Sequence, residues 1–74
     1  MTDARKKELE ERVESMDIRM TARNYRDVKR DIADNLFITP QSKEQVAYLQ
    51  QLLRAKLIKH NVIREGEEYW YEET

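Results

Sequence analysis

Only two residues in this 74-residue chain interrupt helices strongly, Pro40 and Gly66. One proline and one glycine argue against a loop-rich or all-β fold. The abundance of Leu, Glu, Lys, Arg and Gln argues for helices. Between the breakers, apolar residues recur every three or four positions, the period of a helix face packed on a core. The chain is short enough for one domain. A domain of this size buries only about 60% of its unfolded surface, so a complete core leaves no room for a deep catalytic cleft.

Four segments follow in order. Leu9, Val13, Met16 and Met20 form a narrow stripe, with Thr2 or Asp3 available to cap its start. The end of that stripe also reads as a strand. In SMDIRMT, Met16, Ile18 and Met20 alternate with Asp17, Arg19 and Thr21. We expect helix to about Met16, a short extended or turn segment, and a second helix capped by Thr21. Its stripe is Tyr25, Val28, Ile32 and Leu36, and it ends near residues 35–36. Phe37 and Ile38 are expected to be buried at a corner. Thr39 precedes Pro40 and is pushed from helical angles, and Pro40 suits the first position of a new helix. Ser42 and Gln45 fit a capping box. The third helix therefore starts between 40 and 43, runs to Lys59 or His60, and carries the stripe Val46, Leu49, Leu53 and Leu57, widened by Leu52. Last, Val62 and Ile63, the turn residue Gly66 and the aromatics Tyr69, Trp70 and Tyr71 predict a hairpin of about 61–64 with 67–71. The expected fold is mainly α: one domain over 1–74, with an N-terminal helix (1–20), a helix–turn–helix (21–60) and a short C-terminal β-hairpin with an acidic tail (61–74).

The absence of cysteine excludes a disulfide framework, a Cys-based zinc site and a thiol nucleophile. No run approaches the ~20 apolar residues of a membrane span, and the N-terminus lacks the apolar core of a secretory signal. A cytoplasmic protein is the expectation. His60 is the only histidine and sits where a helix C-terminus favours a cation. No cluster has metal-ligand spacing. The chain therefore reads as non-enzymatic, without cofactor or metal.

Charge is unevenly placed. Residues 1–18 carry four basic and six acidic groups, residues 19–64 ten basic and four acidic, and residues 65–74 five acids and no base. A net +6 middle between net −2 and net −5 ends points to polyanion contact.

The order helix, helix, helix, hairpin, with Ile32-Ala33, Leu36, Ile38-Thr39 and the Leu49, Leu52, Leu53 stripe, resembles the winged helix–turn–helix pattern. Lys56-Leu57-Ile58 resembles its exit from the recognition helix, and residues 63–67 its wing. The resemblance spans about residues 25–71. It departs from the pattern at Phe37, where Gly is common, at Lys43, where a buried Val is usual, and at Lys56, where Gly is usual. The resemblance implies a small DNA-binding or transcription-linked regulator whose third helix enters the major groove. Gln41, Lys43, Gln45 and Gln50 are then the candidate base readers, and Arg23, Arg26, Lys29, Arg30 and Lys59 the candidate phosphate contacts.

Two other readings come from the residues. Glu67, Glu68, Tyr69, Trp70 and Tyr71 make an acidic, aromatic end suited to a protein partner, as in an adaptor or inhibitor. The alternation at 16–21 suits a ribbon–helix–helix dimer. A homodimer through Leu9, Val13 and Met16 is a further expectation.

Overall fold

The computed structural model describes residues 1–63. They form three helices: α1 (Asp3–Ser15), α2 (Ile18–Ala33) and α3 (Pro40–Lys59). Among the described residues there is no strand. The greater part of the predicted hairpin, including Gly66 and the three aromatics, lies outside them.

Each helix start is fixed by a side-chain oxygen that takes an otherwise unpaired backbone N–H. Thr2 accepts from Arg5 N at 3.2 Å, and Asp17 accepts from Met20 N at 2.7 Å. Thr39 accepts from Ser42 N at 3.1 Å, and Pro40 occupies the first helical turn. Two predicted caps are thereby corrected. Thr21 is not the cap of α2. It is fully buried, and its hydroxyl donates to the Asp17 carbonyl at 2.8 Å. Asp17 is the better cap because an ionised carboxylate accepts more strongly than a hydroxyl and favours the positive end of the helix dipole. Ser42 likewise yields to Thr39, whose extended backbone (φ −89, ψ 149) is the one a following proline imposes.

The first and second helices are separated by only residues 16–17. Residues 18–21 are helical, so the strand that a ribbon–helix–helix arrangement requires is not formed. Met16 and Met20 belong to both periodicities, and the Asp17 cap decides between them.

Helix ends without glycine use asparagine. Asn35 and Asn61 adopt left-handed angles, φ 55 and φ 59. After α2, Leu36 N reaches Asp31 O and Asn35 N reaches Ile32 O, both at 3.1 Å. After α3, Val62 N reaches Leu57 O at 2.9 Å and Asn61 N reaches Ile58 O at 3.0 Å. Both ends are Schellman motifs, which satisfy carbonyls that the helix leaves open. Asn tolerates this conformation better than other residues carrying a Cβ. Asn61→Ala is therefore expected to lower stability by about 1 kcal/mol, whereas Asn61→Gly keeps or raises it. Paired urea melts measure this, and an Ala variant as stable as the Gly variant contradicts the assignment.

α3 is the helix that both others pack on. Partners rise together along α1 and α3: Met1 with Glu44, Glu10 with Tyr48, Val13 with Lys56. These two helices are parallel. Along α2 and α3 they run oppositely, from Tyr25 with Arg54 to Ile32 beside Val46 and Ala47. α2 therefore returns antiparallel to α3. The core between them holds Val13, Ala22, Tyr25, Val28, Val46, Leu53, Leu57 and Ile63. Leu9 is also buried.

Two expectations about exposed and buried apolar residues are overturned. Leu9 and Val13 are only 2% and 4% exposed, so they are spent on the protein's own core and offer no face to a second copy; Met16 packs against the same core. A dimer through Leu9, Val13 and Met16 is therefore not available to the folded chain. At the corner only Phe37 turns inward, while Ile38 and Leu36 are 80% and 63% exposed. The Schellman turn carries Leu36 past the end of the α2 stripe, and a short link can direct only one of two successive side chains to the core.

Candidate nucleic-acid interface

The capped start of α2 at Asp17 adds one residue to the basic set expected from the sequence. With Ile18–Ala33 helical, arginines stand at 19, 23, 26 and 30, spaced 4, 3 and 4. At 100° per residue these four lie within an arc of about 60°, along about 16 Å of helix axis. Arg19 and Arg23 are exposed, Arg26 half-buried and Arg30 exposed. Reading 16–21 as extended hid Arg19 from the helix face. The 4-3-4 spacing of arginine was the signal that identifies it.

Within this ridge Asp27 holds two of the four. Its carboxylate accepts from Arg26 at 3.3 Å and Arg30 at 3.2 Å. Both pairs are substantially solvent-exposed, and ion pairs of that kind contribute little net stability. A phosphate oxygen can therefore replace Asp27 at small cost. Asp27 also spaces the guanidinium groups. Over the whole of α2, five basic residues stand against Asp27 and Asp31. Lys29 lies about a quarter turn away from the ridge by helical geometry. Its ammonium sits over the Tyr25 ring, 5.6 Å from the centroid, a cation–π contact that anchors its stem. The Tyr25 hydroxyl in turn accepts from Arg54 at 3.0 Å.

The α3 candidates do not form one surface. Gln41 and Lys43 are exposed on the first turns. Gln45 is half-buried, and its side-chain oxygen accepts from Arg5 Nε at 3.4 Å. Gln50 lines a groove of about 290 Å³ with Ile32, Asn35, Phe37, Lys43 and Ala47. Lys59 is exposed at the far end of α3, about 24 Å along the axis from Lys43. The other flank of α3 is covered by α1. Glu44 receives the N-terminal ammonium at 3.0 Å. Tyr48 donates to Glu10 at 2.5 Å and lies under Lys6, 6.0 Å from its centroid. The hydrogen bond to Glu10 raises the Tyr48 pKa above its ordinary value, with burial and the Glu10 charge adding to it. This contact is intact below the ordinary tyrosine range and is lost as pH rises beyond it.

Lys56 is not a surface cation. Its ammonium donates to the carbonyls of Val13 (2.8 Å), Glu14 (3.3 Å) and Met16. It thus closes the C-terminus of α1, where carbonyls are unpaired and the dipole favours positive charge. His60 occupies the C-cap of α3 and is exposed.

Among the described residues, no three His, Cys, Asp or Glu side chains come together as a metal-holding group. Nor is any described helix long and apolar enough to cross a membrane. The acidic and aromatic candidates Glu67, Glu68, Tyr69, Trp70 and Tyr71 lie outside the described residues. Of the predicted contacts, Arg23, Arg26 and Arg30 thus share one face of α2, where Arg19 joins them. Comparison with protein-family models, with curated proteins and with solved structures returned no match to this chain.

Proposed function

We propose that this protein is a small, non-enzymatic regulator that binds nucleic acid, holding backbone phosphates on the arginine ridge of α2. The observation that carries this reading is the alignment of Arg19, Arg23, Arg26 and Arg30 on one helix face. Arginine offers a planar fork that pairs bidentately with phosphate oxygens. Successive members of the ridge stand one helical turn apart, ~5–6 Å between Cβ atoms. Gln41 and Lys43, exposed on the first turns of α3, would add contacts from a second helix. Phosphate contacts of this kind position a protein without reading sequence, so the proposed affinity is electrostatic first.

Titration of a mixed-sequence duplex at two salt concentrations tests this. Binding is expected to weaken steeply with salt, as counterion release requires. Arg23→Glu is expected to weaken binding about tenfold at low salt, and Lys43→Glu by less, because a reversed charge both removes a phosphate contact and repels its neighbour. Undetectable binding at low salt by the folded protein rules the reading out.

A second reading is favoured by one separate observation. Leu36 and Ile38 are exposed beside the groove that Ile32, Phe37 and Val46 line, and exposed apolar patches mark protein contacts. In that case the protein acts as an adaptor, and Ile38→Arg abolishes partner binding while leaving duplex binding intact.

A further inference from the structure

All three helices border one apolar groove whose described polar residues are Arg5, Arg12, Ser42 and Gln45. We propose that this groove binds a small organic acid, a carboxylate joined to one ring-sized apolar group. The inference goes beyond the nucleic-acid reading and does not depend on it, because the groove lies on the other side of α2. At 100° per residue, Val28, which lines the groove, stands roughly 140–180° around α2 from every arginine of the ridge.

The apolar half of the site comes from Leu9 on α1, Val28 on α2, Phe37 in the link, and Val46 and Leu49 on α3. Leu9 is buried yet stands outside the cluster that holds Val28 and Val46, and all three border the groove. Its volume is about 200 Å³. An apolar cavity of ~150 Å³ accepts benzene, while drug-sized ligands occupy ~300–1,000 Å³. The space therefore fits one ring or branched chain and is too small for a partner helix.

The polar half selects an anion. Arg5, Leu9 and Arg12, spaced 4 and 3, share one face of α1. Arg5 is held against α3, its Nε donating to Gln45 Oε1 at 3.4 Å. Its ion pair with Glu8, at 3.1 Å, is substantially exposed, and such pairs contribute little. A ligand carboxylate can take the place of Glu8 while Arg5 keeps Gln45, since a guanidinium carries five N–H donors. Arg12 is exposed ~10 Å further along α1, with Leu9 between the two arginines. Ser42 Oγ accepts from the Thr39 hydroxyl at 2.7 Å, which leaves its own O–H to donate. None of the described residues lining this groove is acidic. By contrast, Glu10, Glu14 and Asp17 line the groove at the far end of α1, and Glu44 the one beside Tyr48. Guanidinium and carboxylate pair through charge-assisted hydrogen bonds, and the apolar wall beside them favours an acid with an apolar body over inorganic anions.

Benzoate titrated into the full-length protein at fixed pH and ionic strength tests the site. In methyl NMR spectra, Leu9, Val28, Val46 and Leu49 are expected to shift saturably, with a Kd on the order of 1 mM for so small a ligand. Benzamide, the same ring without the charge, is expected to bind about fivefold more weakly or worse. Arg12→Gln should weaken benzoate by about fivefold or more. Lys7→Gln removes an exposed cation of α1 that does not line the groove, and should change binding by less than about twofold. Both substitutions are at exposed positions, so both variants stay folded and comparable. The absence of saturable shifts at these methyls overturns the proposal. So do equal binding of benzamide and benzoate, and equal losses in the two variants.

Discussion

Replacing Lys56 with methionine is expected to destabilise the fold by about 2–3 kcal/mol, out of proportion to the loss of one lysine. Methionine keeps the length and apolar character of the stem. What it removes is an ammonium that donates to Val13 O, Glu14 O and Met16 O. Hydrogen bonds from a charged donor are the strong ones. Here they also connect the end of α1 to α3, the helix on which both others pack. Without Lys56, the last carbonyls of α1 lose these bonds to α3, and the C-terminal end of α1 is left to the packing of Leu9 and Val13. Lys56→Arg retains the charge, but a planar fork cannot converge on three carbonyls as a tetrahedral ammonium does. It should therefore fall between wild type and Lys56→Met. Because two of these bonds are part-buried, the difference should persist at ~1 M salt, where the Debye length is only ~3 Å. Urea midpoints at low and high salt decide it. A loss below about 0.5 kcal/mol, the level of an ordinary surface change, sinks the assignment.

Truncating Leu53 to alanine carries an equal or larger cost, about 3–4 kcal/mol. Its side chain is 0% exposed, and it belongs to the cluster shared by all three helices. The cost combines the lost transfer of apolar surface with a cavity that neighbouring helices cannot close. A domain of this size has roughly 4–11 kcal/mol of stability, so the variant sits near its folding limit. Ile38→Ala is the natural control. Ile38 is 80% exposed, and its truncation should change stability by less than about 0.5 kcal/mol. Thermal melts of the two variants separate core from corner, and comparable losses at both sites contradict the burial pattern. The pair also serves the second functional reading, since Ile38 is then free to vary for partner binding without unfolding the protein.

Much of the framework was legible in the residues. The stripe Val46, Leu53 and Leu57 is buried as its period requires. Pro40 opens α3, and α3 ends at Lys59. Tyr25 and Val28 are core residues of α2. These positions could be read because helix periodicity and proline geometry act locally. Arg23, Arg26 and Arg30 could be named as cations on a helix for the same reason.

Other features depended on which helix lies beside which. The sequence predicts burial for Leu9 and Val13 but not whether the partner is α3 or a second chain; the parallel packing of α1 on α3 answers this, because Lys56 and Tyr48 reach across to it. Lys56 looked like a departure from a glycine exit, and only the approach of the α1 C-terminus gives its charge a structural use. Leu36 and Ile38 continue apolar patterns in sequence, yet they fall beyond the ends of the packed surfaces and remain exposed. Gln45 had the composition of a base reader until Arg5 from α1 reached it. The arginine ridge belongs to both levels. Its spacing is written in the sequence, but it becomes one face only because Asp17 caps α2 early enough to bring Arg19 into the helix. Periodicity fixes which residues share a face; the meeting of helices distant in sequence decides whether that face is core, contact or surface.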